Sequence, residues 1–139
     1  MNHPPSPPAF TWPVRVYYED TDAGGVVYYA NYLKFLERAR TEWLRAAGFE
    51  QPQLLRDFDV IFVVRTLTIE YLRPARFNDL LTVTVQPERI GRSLLQLGQT
   101  IEREALLARA RVEIVCVQGT TFKPVSIPAP LRHCLGSLS

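Results

Sequence analysis

A chain of 139 residues with 47% hydrophobic and 22% charged residues has the size and composition of one soluble globular domain with a core of its own. Its formal net charge of +2 is too small to argue for nucleic acid, and no apolar stretch reaches the length of a membrane span. Two cysteines, Cys116 and Cys134, make neither a disulfide framework nor a CxxC metal site, and the expected location is the cytoplasm.

The first residues, MNHPPSPPAF, are proline-rich and lack the basic start and apolar run of a secretory signal. Residues 1–11 are expected to form a disordered or extended tail, ahead of a single domain over 12–135. Val14 to Tyr18 alternate around Arg15 and predict a first strand. A turn follows over Glu19–Gly25, in which Gly24 and Gly25 permit backbone angles closed to other residues. From Tyr29 to Ala47 the apolar positions Tyr32, Phe35, Leu36, Ala39, Trp43, Ala46 and Ala47 recur at helical spacing. Gly48 stands where a left-handed residue would stop that helix.

Beyond a linker over Phe49–Asp59, with room for a short helix, the period changes to two. Leu67, Ile69 and Tyr71 share a face with Arg65, and Pro74 ends the run. Leu81, Val83 and Val85 alternate with Thr82, Thr84 and Gln86. Leu95, Leu97 and Ile101 form the next run, interrupted by Leu94 and Gln99. Ala108, Ala110, Val112, Ile114 and Cys116 form the last, with Cys116 reading as a small buried hydrophobe. The links Gly91-Arg92 and Glu104-Ala105 are short, so these strands predict an antiparallel meander. One long helix on four or five antiparallel strands is an α+β architecture.

The chemistry concentrates between Val14 and Gly48. Asp22 lies a few residues before a helix whose first turn offers unpaired N–H donors and a partial positive charge. A carboxylate beside such donors can attack or deprotonate while the donors hold a carbonyl oxygen, an arrangement suited to acyl transfer. From the residues alone, Asp22 in DAGG equally suits a turn or capping role. His3 and His133 lie near the two ends of the sequence, so a Ser-His-Asp triad lacks a well-placed histidine. There is no G-x-S-x-G elbow and no metal-binding histidine cluster.

The run YYEDTDAGGVVYYANYLKFLERARTEWL resembles the 4-hydroxybenzoyl-CoA thioesterase family of hotdog-fold enzymes, with closest likeness to the acyl-CoA thioesterases associated with the bacterial Tol-Pal system. The pattern is D-x-D-x-x-G-x-V-x-[YF]-x-N-Y at a strand-to-helix junction, and YLRPARFNDLLTV resembles the family's second and third strands. The likeness runs from about Trp12 to Pro128. It implies a hotdog fold, with the long helix packed on a curved antiparallel sheet, and hydrolysis of an acyl-CoA thioester without metal or cofactor. By the resemblance Asp22 is the catalytic carboxylate, forming an anhydride or activating water, and the Tyr29 backbone N–H is the oxyanion donor. Tol-Pal-associated relatives commonly carry histidine where Tyr29 stands, which places acyl-chain preference in doubt.

Tyr18, whose family counterpart is discussed as part of the site, reads equally as a core residue. Gly25 and Val26 flank Asp22 where substrate would approach. Asp20 and Glu19 read as solvated or structural, and Asn31 as a residue that holds or caps the helix start. Arginine dominates the basic residues, since lysine occurs only at Lys34 and Lys123, and its planar fork suits phosphate. Arg92 and Ser93, with Arg89 nearby, and Lys123 are therefore candidates for the phosphates of coenzyme A. The resemblance also implies a homo-oligomer, a dimer at least and preferably a tetramer, with sites at subunit interfaces. The alternative readings are a thioesterase acting on acyl-carrier-protein substrates and a non-catalytic acyl-thioester binding protein.

Overall fold

The computed structural model describes residues 9–138, so most of the expected tail, residues 1–8, lies outside the described range. The elements are β1 (Phe10–Arg15), α1 (Asn31–Ala46), α2 (Gln51–Phe58), β2 (Val60–Tyr71), β3 (Leu80–Ile90), β4 (Leu94–Arg103), β5 (Ala105–Gln118) and α3 (Ala129–Leu138). The strands form one sheet in the order β1-β3-β4-β5-β2, and each neighbouring pair is antiparallel. This is the α+β hotdog architecture, with the β3-β4-β5 meander in place.

One apolar stripe explains why α1 sits against the sheet. Tyr32, Phe35, Leu36, Ala39, Trp43 and Leu44 are buried, while Lys34, Glu37, Arg38 and Thr41 face solvent. Opposite them, Leu81, Val83 and Val85 of β3 and Leu95, Leu97 and Ile101 of β4 are buried in the same core. Removing each large side chain from water stabilises the fold by roughly 1.5–3 kcal/mol, so the helix is held chiefly by tertiary packing. Its end is a Schellman turn: Gly48 at φ +92° donates to the Arg45 carbonyl, and Phe49 donates to that of Leu44.

Several elements differ from the sequence pattern for identifiable reasons. β1 begins at Phe10 and ends at Arg15, because the chain leaves the ladder at Val16 and turns into a 3₁₀ turn at Tyr18–Asp20. β2 begins at Val60, five residues before the alternating segment. The register shifts between Val64 and Thr66, so Arg65 is an extra residue that breaks the period of two. Phe62 and Val64 therefore share the helix-facing side with Leu67, Ile69 and Tyr71, as their partners Cys116, Ile114, Val112, Ala110 and Ala108 show.

Gln99, which interrupts the apolar run of β4, is buried. Its Nε2 donates to the carbonyls of Leu36 (3.1 Å) and Thr84 (3.2 Å), and its Oε1 accepts from Arg40 at 3.0 Å. The amide thus bolts α1 to the sheet. The C-terminal α3 packs through buried Leu131 and Leu135, and Arg132 donates to carbonyls in the β3–β4 turn. Cys116 is buried, and desolvation pushes its thiol up to about 11.

Phe35, fully buried under α1, should be a principal contributor to stability: Phe35→Ala should cost about 3–5 kcal/mol in urea unfolding. Leu33→Ala, on the exposed side of the same helix, should cost less than about 1 kcal/mol.

Candidate active site

The site is built by a short hairpin that delivers the chain from β1 to α1. Asp22 N–H donates to the Val26 carbonyl at 2.9 Å, and Thr21 bridges to Val27. Tyr28 N–H donates to the Asp20 carbonyl at 2.9 Å and closes the base. The tip is an Asx turn in which Asp22 Oδ1 accepts the Gly24 N–H at 2.8 Å. Gly25 then takes φ +79°, the left-handed region that glycine enters without strain. Val26 bridges to Arg76 and Val27 donates to the Ala75 carbonyl, which ties the hairpin to the segment between β2 and β3.

The two carboxylates of D-x-D are in different environments. Asp20 is 4% exposed; its Oδ2 accepts the Tyr17 N–H at 2.8 Å, and its Oδ1 accepts Asn31 Nδ2 at 3.0 Å. It is a structural tie between the 3₁₀ turn and the first residue of α1, with Asn31 in its expected holding role. Asp22 is exposed and, among the described residues, bonded only through Oδ1 to its own turn, which leaves Oδ2 without a donor there.

The helix start supplies donors. Its N-cap is Ala30, which has no side chain to cap the first turn. Asn31 N–H donates to Tyr28 O at 2.8 Å, Tyr32 N–H to Tyr29 O at 3.4 Å, and Leu33 N–H to Ala30 O at 3.2 Å. The N–H groups of Tyr29 and Ala30 have no acceptor among the described residues. They are successive donors at the positive end of a helix of 16 residues.

Aromatic rings surround these donors. Tyr29 lies tilted against Tyr28 at 4.7 Å and meets the edge of Tyr71 at 6.4 Å, while Tyr32 meets Tyr71 at 5.1 Å. The Tyr32 hydroxyl accepts the Ala75 N–H at 2.9 Å, and Tyr71 Oη donates to Tyr29 O at 3.0 Å. Burial, followed by the neighbouring Tyr32 and Tyr29, raises the Tyr71 hydroxyl above its usual range. The adjoining Tyr29 hydroxyl does the same for Tyr28. Val27, Tyr29, Tyr32, Tyr71, Leu72 and Pro74 line an open cleft of about 270 Å³ here.

A second space, about 230 Å³, lies between the C-terminal half of α1 and the sheet. Trp43, Leu44, Phe62, Leu95, Leu97 and Ile114 make it apolar, and Glu37 and Arg40 bring charge to its lining. Desolvation lowers the Arg40 guanidinium from its usual value, against the opposing field of Glu37.

Asp22, Gly25, Val26 and Tyr29 therefore come together at one loop–helix junction. Tyr18 lies in the 3₁₀ turn beside them; it is 79% exposed, with its ring edge-on to Phe77 at 5.5 Å, so it is not a core residue. Arg92, Ser93 and Lys123 lie at the opposite end of the sheet. Arg92 Nε donates to Ser126 Oγ at 2.8 Å, Ser93 O accepts the Cys116 N–H, and Lys123 O accepts the Gln118 N–H. Within one chain these three do not reach Asp22. Among the described residues no three His, Cys, Asp or Glu side chains cluster as metal ligands, and no helix is long and apolar enough to cross a membrane. Tyr71 is the site residue that sequence reasoning missed: alternation placed it on β2, but nothing local links it to a helix start 42 residues earlier.

The chain matches the family model described as thioesterase superfamily over residues 24–110. It is 46% identical over 124 residues to the acyl-CoA thioesterase YbgC of Haemophilus influenzae, covering 88% of this chain and 91% of that protein. A solved structure of a probable thioesterase from Bartonella henselae is similar at 37% identity and a TM-score of 0.83, over 87% of this chain and 100% of that one. A 1,4-dihydroxy-2-naphthoyl-CoA thioesterase from Synechocystis is similar at 25% identity and a TM-score of 0.86, over 94% of this chain and 98% of that one.

The contrast between the two carboxylates has a measurable consequence for stability. Asp20→Ala strands the Tyr17 N–H and the Asn31 amide and should cost about 1–3 kcal/mol in urea unfolding. Asp22→Asn should leave the unfolding midpoint where it is, because that carboxylate supports only an exposed turn.

Proposed function

The chain belongs to the thioesterase superfamily, and we propose that it hydrolyses an acyl-CoA thioester to the free acid and coenzyme A, with Asp22 as nucleophile or general base. The observation that carries this reading is the pairing, on one junction, of a carboxylate with one oxygen and two N–H donors that have no partner among the described residues. The thioester carbonyl oxygen, which gains charge as the carbonyl carbon becomes tetrahedral, is held by the Tyr29 N–H. A donor of this kind is typically worth roughly 10²–10³ in rate. In the covalent route an Asp22 oxygen bonds to the acyl carbon, the C–S bond breaks and coenzyme A leaves as the thiolate. Water then splits the mixed anhydride. In the general-base route Asp22 takes a proton from the water that attacks the same carbon.

A dimer supports the remaining candidates. β2 is an edge strand whose outer side is unpaired among the described residues. Antiparallel pairing of two such edges about a two-fold axis sets the Tyr71 end of one copy against the Val60 end of the other. Arg92, Ser93 and Lys123 lie at that Val60 end, where they would meet the phosphates of a coenzyme A bound at the other copy's Asp22. The apolar space beside Trp43, with Phe62 and Val64 of β2 at its wall, then takes the acyl group. The dimer is the minimum assembly and a tetramer the preferred one, acting on acyl-CoA in the cytoplasm.

Thiol release from short-, medium- and long-chain acyl-CoAs and benzoyl-CoA tests the reaction. Asp22→Asn should lower kcat by at least roughly 10²-fold without unfolding the protein. Full activity in that variant would sink the Asp22 mechanism. Single turnover in H₂¹⁸O should label Asp22 where water opens a covalent anhydride at the Asp22 carboxyl carbon, whereas the general-base route, like opening at the acyl carbon, labels the acid alone. Free coenzyme A should compete with substrate; failure to compete, with turnover of acyl-carrier-protein thioesters, would favour the carrier-protein alternative. Saturable acyl-CoA binding without turnover would favour the binding-protein reading.

Val64→Trp should narrow the apolar space and lower kcat/KM for long acyl chains more than for short ones. An unchanged chain-length profile would place the acyl group elsewhere.

A further inference from the structure

Two successive peptide units at the start of α1 expose free N–H groups, and each is held by its carbonyl. In the Tyr28–Tyr29 unit, Tyr28 O accepts the Asn31 N–H at 2.8 Å, a bond internal to the helical turn. In the Tyr29–Ala30 unit, the backbone offers only the Tyr32 N–H at 3.4 Å, a long contact. The stronger partner is the Tyr71 hydroxyl at 3.0 Å, from the last residue of β2. C=O and N–H of a trans peptide point in opposite directions, so a bond that fixes Tyr29 O also fixes the Ala30 N–H. A hydrogen bond to the carbonyl further polarises the same unit and strengthens its N–H as a donor.

We propose that Tyr71 is a positioning residue of the oxyanion site, holding the Tyr29–Ala30 peptide so that the Ala30 N–H serves as a second donor beside the Tyr29 N–H. Its own placement is rigid. Tyr71 pairs with Ala108 in the ladder, Leu72 and Arg73 both donate to the Leu107 carbonyl, and the Tyr71 ring is braced by Tyr32 and Tyr29. With its hydroxyl bonded to the peptide carbonyl, Tyr71 acts through the Ala30 N–H on the transition state and leaves ground-state binding of coenzyme A alone. This role rests on the proposed hydrolysis at Asp22.

Tyr71→Phe keeps the ring and removes the hydroxyl. Assayed on the full chain with benzoyl-CoA and hexanoyl-CoA, it should lower kcat roughly 10- to 100-fold while KM moves less than about threefold. Its thermal midpoint should stay close to the wild type's. In ¹⁵N–¹H spectra the Ala30 amide should shift, while those of Leu97 and Ile101, in the core of β4, stay in place. A kcat equal to that of an active wild type would overturn the positioning role alone, as would an unmoved Ala30 signal. A wild type that turns over neither these nor other thioesters would instead overturn the hydrolase reading, and the positioning role with it. If Tyr71→Phe lowers the thermal midpoint, p-aminophenylalanine at position 71, whose neutral amino group keeps an N–H donor at the same ring position, should restore kcat; failure to do so would count against the proposal.

Discussion

A carboxylate that is 4% exposed must find donors for both oxygens, and Asp20 finds them on either side of the hairpin it belongs to. One oxygen takes the Tyr17 N–H, where the chain has just left β1; the other takes the Asn31 amide, where α1 begins. The Asp20 carbonyl meanwhile takes the Tyr28 N–H. Three bonds from one residue thus fix the helix start relative to the sheet. Both Asp22, two residues on, and the Tyr29 amide, one residue past Tyr28, inherit their positions from this tie. The strength of the tie follows from burial, since leaving any of these groups unpaired would cost its full desolvation.

That division of labour explains why the helix begins without a side-chain cap. Ser, Thr, Asp or Asn at the N-cap typically stabilises a helix by about 1 kcal/mol by taking one of its free N–H groups. Ala30 forgoes this gain. The helix is secured instead by Phe35, Leu36, Ala39 and Trp43 in the core and by the Gln99 amide bolted to the Leu36 carbonyl. With stability provided further along the helix, its first turn can keep donors open for a ligand. Asn31, which has the chemistry of a cap, is turned to Asp20 and does not close the turn on itself.

How much of this could be read in the sequence varies with the range of the interaction. The stripe on α1 and the stop at Gly48 are local and periodic, and both stand where the pattern put them, except that at the last turn Ala46 is exposed and Leu44 is buried. The first half of β2 escapes the pattern because all five residues of VIFVV are apolar and show no alternation, and the extra residue Arg65 puts them out of phase with the run that follows. Among the described residues α3 places Leu131 and Leu135 in the core, too short a signal against its setting of proline and loop. At the site, D-x-D names the carboxylates, but only burial tells the tie from the free one. The bond from Tyr71 to Tyr29 depends on an edge strand and a helix start meeting in space, which no spacing along the chain encodes.

The separation of the candidates has a physical meaning of its own. A single chain leaves Asp22 exposed and Tyr29 62% exposed, with open solvent over the place where charge would develop. Hydrogen bonds to an oxyanion are worth far more where water is excluded, so a site of this kind is incomplete while it stays open. Under the proposed reading the opposite end of the same sheet would supply what is missing, basic residues for phosphate and an apolar space against β2. A two-fold pairing of β2 edges brings each end of one copy to the other end of the next. It would cover the exposed Val64 and Tyr71, satisfy the unpaired strand edge, and close the site in a single step. Under this reading, the distance of Arg92 and Lys123 from Asp22 within one chain is what a site assembled from two copies requires.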